Sequence, residues 1–307
     1  MLTNFFSNSK PFHFILISLL LFVGYIFYNL QISDFENDFI ELIQLTFKFG
    51  LYIILMLVLG FIIKKNNLTQ INTYALFIFT CLLLLTPNVF QNSKPILSTV
   101  FILLALRRIL SFSSKKNIQK KILDASLWIG VATFFYFWSI LFLFVLYAAL
   151  IQLASKDFKL FLIPIIGFFV VFIISTIHFL YLDNNIDWYK DYKKPISIVF
   201  SSYKPLKNFF SLLVILSMVI ISLGFKFLNF RKIPTRKKSK YWIIIFTLFI
   251  GILLVIITGK KNGVELIFTI APISILFSNF IEALQRKWVS EIMLWFILLA
   301  PIFSYFS

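Results

Sequence analysis

Asp34, Glu36 and Asp38 fall within five residues, in the stretch QISDFENDF, and Glu41 follows them. The chain around them is basic, with 29 Lys and Arg against 12 Asp and Glu, yet no cation lies between Lys10 and Lys48. A carboxylate with no cation beside it stays available to take a proton. The trio therefore has the chemistry of a general base, or of oxygen ligands for a divalent ion. Asp34 and Glu36 share a face if the segment is extended. Asp34 with Asp38, or Asp38 with Glu41, share one if it is helical. The plainer reading is a loop that has kept its solubilising charges.

A second stretch supplies the complement. In DNNIDWYKDYKKPISIVFSSYKPLK, residues 183–207, Lys190, Lys193, Lys194, Lys204 and Lys207 alternate with Trp188, Tyr189, Tyr192 and Tyr203. Ammonium groups hold phosphate as point charges, and aromatic rings suit a membrane interface or the underside of a sugar ring. Lys48 and Lys94 are further candidates for such a phosphate. GKKNG at 259–263 sets Lys260 and Lys261 ahead of Glu265, an acid just inside an apolar run. An ionisable group there is a functional candidate by default, paired with a neighbouring lysine or closing the mouth of a cavity. His13 and His178 are the two histidines and Cys81 the single cysteine, which excludes a disulfide and a thiolate metal site. No resident cofactor is expected, although a divalent ion could bridge acid and phosphate.

The elements that must position these groups are membrane helices. The 307 residues are 60% hydrophobic, with 41 Phe and a mean hydropathy of +0.95, more apolar surface than a soluble domain can hide. The apolar runs lie near 12–30, 46–63, 73–90, 95–112, 125–154, 160–182, 208–228, 241–258, 264–281 and 289–306. Each approaches or exceeds the ~20 residues that cross a bilayer as a helix. The expected fold is an all-α polytopic transmembrane helical bundle of about 9–11 membrane helices, residues 1–307 forming one integral membrane domain. The first run lacks an A-x-A-like cleavage site after it and reads as a retained span. Cations sit in short loops between runs, so topology explains the basic balance and nucleic acid is not an expected partner.

The run at 125–154 decides the threading. Thirty helical residues measure about 45 Å, too long for one upright span and too short for two full ones. As one span, with the N-terminus inside, it leaves 16 Lys and Arg inside and 13 outside. As a short helix pair turning near Tyr136–Ser139, it leaves 20 inside and 9 outside, which the positive-inside rule prefers. The expected protein is then a multi-pass protein of a bacterial inner membrane, with a cytoplasmic N-terminus and a periplasmic C-terminus. Its outer face carries the loops 31–45 and 183–207. The cytoplasmic loops hold no Gly-rich nucleotide cradle, so any chemistry belongs at the outer face or within the membrane.

SDFENDF at 33–39, after the first span, resembles the acidic motif of the membrane-embedded glycosyltransferases of the C superfamily. The basic stretch and helix pair in LRRILSFSSKKNIQKKILDASLWIGVATFFYFWSILFLFVLYAAL, 106–150, is similar to that superfamily's layout. The likeness spans roughly residues 12–180; the first loop here, about 15 residues, is shorter than in many members. The resemblance implies a glycosyltransferase-C-like fold and transfer of a sugar from a polyprenyl-phosphate donor to an acceptor at the periplasmic face. It implies a catalytic base among Asp34, Glu36 and Asp38. The bound lipid phosphate would meet Lys48, Lys94 and the lysines of 190–207, with Lys260, Lys261 and Glu265 nearby. The opening MLTNFFSNSKPFHF and the composition are also similar to an uncharacterised inner-membrane protein family of Bacteroidota. Two other functions remain open on the residues: a non-catalytic membrane subunit or scaffold of an envelope assembly, and a lipid or solute carrier. Membrane lipid is a partner in every case.

Overall fold

The computed structural model describes residues 1–32, 39–114, 116–153, 157–184, 187, 189, 196–197, 203, 206–259 and 261–306. The fold is 87% helical with no strand among the described residues, an all-α bundle. The helices are α1 (Leu2–Phe6), α2 (Pro11–Ile32), α3 (Phe39–Asn66), α4 (Tyr74–Leu85), α5 (Ser93–Leu110) and α6 (Ile118–Phe135). They continue as α7 (Phe142–Gln152), α8 (Lys159–Asp183), α9 (Leu206–Asn229), α10 (Thr235–Ile257), α11 (Ile267–Ala283) and α12 (Lys287–Phe306). Eight segments among the described residues are long and apolar enough to cross a membrane. Leu162, Ile165, Phe169, Ile173 and Ile177 of α8 are exposed, a side chain set suited to lipid and not to water. The chain is a multi-pass membrane protein.

Two compact units divide the chain. The first comprises Met1–Ser93, Phe200–Lys238 and Lys261–Ser307; the second comprises Lys94–Val199 and Ser239–Lys260. The first unit is built around α4, all twelve of whose residues are buried, with α2, α3, α11 and α12 packed on it. Helix α4 measures only about 18 Å, well short of a ~30 Å hydrocarbon layer. The apolar run 73–90 read as one span in sequence is therefore interrupted. Pro87 lacks an amide hydrogen and disfavours helical backbone at Thr86, which leaves the helix at φ −116°, ψ 64°. The Thr86 hydroxyl turns back to the carbonyls of Leu82 and Leu83, and Ser211 of α9 donates to that of Leu85 at 2.6 Å. A short 3-10 turn, Pro87–Gln91, follows.

In the second unit the break expected near Tyr136 is present. Tyr136 is extended (φ −143°, ψ 106°), and a 3-10 turn over Phe137–Leu141 leads into α7. Neither Pro nor Gly makes this break. Two hydroxyls hold it: Ser98 of α5 donates to the Ala132 carbonyl at 3.0 Å, and Ser139 lies 2.6 Å from the Ser98 hydroxyl. Helices α6 and α8 pack closely and run parallel. Gly130 meets Val171 and Gly167 meets Ser126, each pair 41 positions apart, as are the helix starts Ile118 and Lys159. Both starts therefore stand level, and α7 is the return limb between them.

One boundary shifts. The first loop was expected over 31–45, but α2 runs to Ile32 and α3 begins at Phe39, so only residues 33–38 separate them. Ile40, Leu42, Ile43 and Phe47 are exposed apolar positions, which is what helix in lipid looks like, and Glu41 with the acids before it disguised it.

Candidate functional site at one end of the first unit

The interrupted helix α4 delivers its turn, residues 87–91, to one end of the first unit, and polar side chains gather there. Asn88 Nδ2 donates to Asn208 Oδ1 at 3.1 Å and to the Asn262 carbonyl at 2.7 Å. The Tyr28 hydroxyl donates to Asn88 Oδ1 at 3.4 Å, and that of Tyr52 to the Val89 carbonyl at 2.9 Å. Lys48 Nζ lies 3.5 Å from the Gln91 carbonyl. In a bilayer, backbone that leaves a helix must find partners inside the protein. Tyr52 and Lys48 supply them for the Val89 and Gln91 carbonyls.

Beside this turn the chain re-enters helix through Gly263 at φ +88°, a left-handed conformation open to glycine. The 3-10 turn Val264–Leu266 then runs into α11. It carries Glu265, 1% exposed, whose Oε1 accepts from the Tyr203 hydroxyl at 2.7 Å. The backbone N–H groups of Gly263 and Glu265 also donate toward that carboxylate, and the Lys261 charge acts on it. Lys261 is itself 1% exposed. Burial pushes its ammonium below the ordinary lysine pKa, and the Glu265 carboxylate offsets part of that shift. Buried charge at such a position is costly, so an ammonium, a carboxylate and a phenol held together mark a place where charge is handled.

The sequence candidates divide accordingly. Lys261 and Glu265 come together here, and Lys48 reaches the same end through Gln91. Glu265 has the Tyr203 phenol as its direct donor, where sequence suggested a lysine. Lys94, exposed, belongs to the second unit. Asp34, Glu36, Asp38, Lys190, Lys193, Lys194, Lys204 and Lys260 lie outside the described residues. Among the described residues no three His, Cys, Asp or Glu side chains come together as a metal site would need.

Tyr203, Asn88, Asn208 and Asn262 were missed as site residues. Tyr203 looked like one more interfacial aromatic, yet it is 3% exposed. The asparagines flank apolar runs, where a polar residue ordinarily marks a turn. The TPN triplet at 86–88 was the one usable signal, since X-Pro inside an apolar run foretells a broken helix. The whole chain, residues 1–307, matches the model of a family of unknown function, DUF6427. No curated protein and no solved structure matches it.

Proposed function

The chain belongs to the DUF6427 family, whose description assigns no activity, and we propose, from the resemblance of its 33–39 and 106–150 segments to the C-superfamily enzymes, that it is a glycosyltransferase. It moves a sugar from a polyprenyl-phosphate donor to an acceptor at the periplasmic face of a bacterial inner membrane. Its N-terminus is cytoplasmic and its C-terminus periplasmic. The observation that carries this reading is the buried Lys261–Glu265–Tyr203 group at one end of the first unit. A buried cation of this kind can offset the charge of a departing lipid phosphate.

In the reaction, one of Asp34, Glu36 and Asp38 takes the proton of the acceptor hydroxyl. The freed oxygen bonds to the anomeric carbon as the bond from that carbon to the phosphate oxygen breaks. The electron pair leaves with the lipid phosphate, whose charge Lys261 and the lysines of 190–207 offset. Glu265 holds Lys261 and Tyr203 in place and takes no part in the bond changes. A divalent ion bridging acid and phosphate is compatible with this scheme and not required by it.

The test is transfer of labelled sugar from a polyprenyl phosphate in proteoliposomes. At the true base, Asp34→Asn or Glu36→Gln slows turnover by about 10²–10⁴-fold with insertion intact. Full activity in all three acid variants rejects the reading in favour of a non-catalytic scaffold. A second reading, a lipid or solute carrier, gains from the interrupted helices at Thr86 and Tyr136, one in each unit, since carriers build sites from such breaks. Movement of a labelled lipid-linked sugar across the bilayer with no acceptor present would favour it.

A further inference from the structure

Helix α12, which the proposed reaction does not use, carries an open apolar trough. Trp288, Ile292, Trp295, Phe296 and Leu299 line it together with Glu291, and its volume is about 480 Å³. All five apolar side chains are exposed, and steps of three and four residues stack them on one helix face. The 20 residues of α12 measure about 30 Å, the thickness of a hydrocarbon layer. From Trp288 to Leu299 the rise is about 16 Å, roughly half of that layer. The trough therefore runs from one headgroup level to the middle of the membrane, the reach of a chain in a single leaflet.

The mouth of the trough is positive. Arg286 and Lys287 stand directly before Trp288, and both are exposed. The acids of this end are occupied by the chain itself. Glu291 accepts from the Thr3 hydroxyl at 2.6 Å, from the N–H groups of Leu2 and Thr3, and from the Met1 ammonium at 2.7 Å. Glu282, at the end of α11, accepts from the Asn72 amide at 2.7 Å and from the Gln70 N–H at 3.2 Å. The cations of the same end have no such partners. Lys64 and Lys65 close α3 shortly before Gln70, and the charge of Lys237 acts on Glu282. The ion pairs among the described residues are Met1–Glu291 and Arg108–Asp124, so Lys64, Lys65, Lys237, Arg286 and Lys287 take part in none. Unmatched cations at headgroup depth attract anionic lipid, and exposed tryptophans suit the same level.

We propose that α12 binds an anionic phospholipid of the surrounding bilayer, with the headgroup phosphate on Arg286 and Lys287 and one acyl chain along Trp288–Leu299. A neutral lipid would fill the trough and leave the cations unmatched. A water-soluble anion would match the cations and leave the trough empty. A lipid with a negative headgroup answers both. The site lies at the far end of α11 from Glu265 and does not depend on the transferase reading.

The experiment uses the full chain in phosphatidylcholine nanodiscs that hold a minor share of acyl-brominated lipid, either phosphatidylglycerol or phosphatidylcholine. Bromine quenches tryptophan fluorescence on contact. The α12 signal is the part removed by Trp288→Phe with Trp295→Phe; either substitution alone serves if the pair does not fold. Brominated phosphatidylglycerol should quench that signal at a lower share than brominated phosphatidylcholine, and raised salt should narrow the difference. Arg286→Gln with Lys287→Gln should reduce the preference by about fivefold per cation removed. Should that variant fail to insert, the two lipids compared on the unaltered chain at low and high salt decide the matter. Equal quenching by both lipids overturns the proposal and leaves a trough filled by any acyl chain. Quenching by neither overturns it as well, since another helix or a second copy of the chain then covers α12. A preference that survives removal of both cations also overturns it, because the anion then sits elsewhere.

Discussion

Replacing Tyr203 by phenylalanine removes one oxygen and leaves a buried carboxylate short of its nearest side-chain donor. Tyr203 and Glu265 are 3% and 1% exposed, and their oxygens are 2.7 Å apart, the separation of a charge-assisted bond. A hydrogen bond to a charged group contributes about 1.5–3 kcal/mol, against about 0.5–1.5 kcal/mol for a neutral pair. Water cannot replace the lost donor at a site this enclosed, so Tyr203→Phe should cost about 1.5–3 kcal/mol, roughly 10- to 150-fold in the folded-to-unfolded ratio. In a Glu265→Gln background the partner is neutral, and the same substitution should cost about 1 kcal/mol or less. The coupling between the two sites is then about 0.5 kcal/mol or more. The assay is reversible unfolding in mixed micelles, followed by circular dichroism, for the four members of the cycle. Equal costs of Tyr203→Phe in both backgrounds would refute the ionised Glu265 pair. So would a single-variant cost under about 0.5 kcal/mol, the range of substitutions that touch nothing important.

Three further outcomes follow from the same contacts. An alanine Cβ at Gly130 would sit 2.9 Å from Val171 Cβ, an atom no rotamer can move, so Gly130→Ala should destabilise by about 1–3 kcal/mol in the same unfolding assay, while Gly50→Ala, with open space around it, should not. Because burial lowers the Lys261 pKa in the folded state, the unfolded chain binds more protons between the two pKa values. Stability should therefore rise with pH as Lys261 loses its proton in the fold, and Lys261→Met should flatten that part of the stability–pH curve. Cysteines placed at Lys120 and Lys159 should react with a membrane-impermeant thiol reagent from the same side, since both helix starts are level and the native Cys81 is buried; labelling from opposite sides would defeat the helix-pair geometry.

The helical, membrane-spanning character of the chain was legible from residue types alone. A run such as 160–182 has no other stable home than lipid, and its observed counterpart, α8, differs from it by one residue at each end. The length of the run 125–154 also signalled a break, since thirty apolar residues fit neither one span nor two, and the backbone leaves helix at Tyr136. The start of α3 was not legible, because acids at 34–41 look like a loop until an apolar face at Ile40, Ile43 and Phe47 is placed against lipid.

What the sequence settles by itself follows from solvation. Apolar runs must leave water, backbone in lipid must pair within its own helix, and cations stay near an interface; each is a property of local composition. What required tertiary structure is pairing across distance. Nothing local to Tyr203 distinguishes it from Tyr189 or Tyr192. It becomes the partner of Glu265 because α9 and α11 belong to one unit and lie side by side, bringing positions 62 residues apart to 2.7 Å. Asn88, Asn208 and Asn262 likewise meet only because Pro87 stops α4 partway and the turn that follows carries the Asn88 amide to acceptors on distant parts of the chain. The bilayer dictates which segments are helices, whereas the satisfaction of buried polar groups at their breaks dictates which side chains meet, and that can be read only with the helices in place.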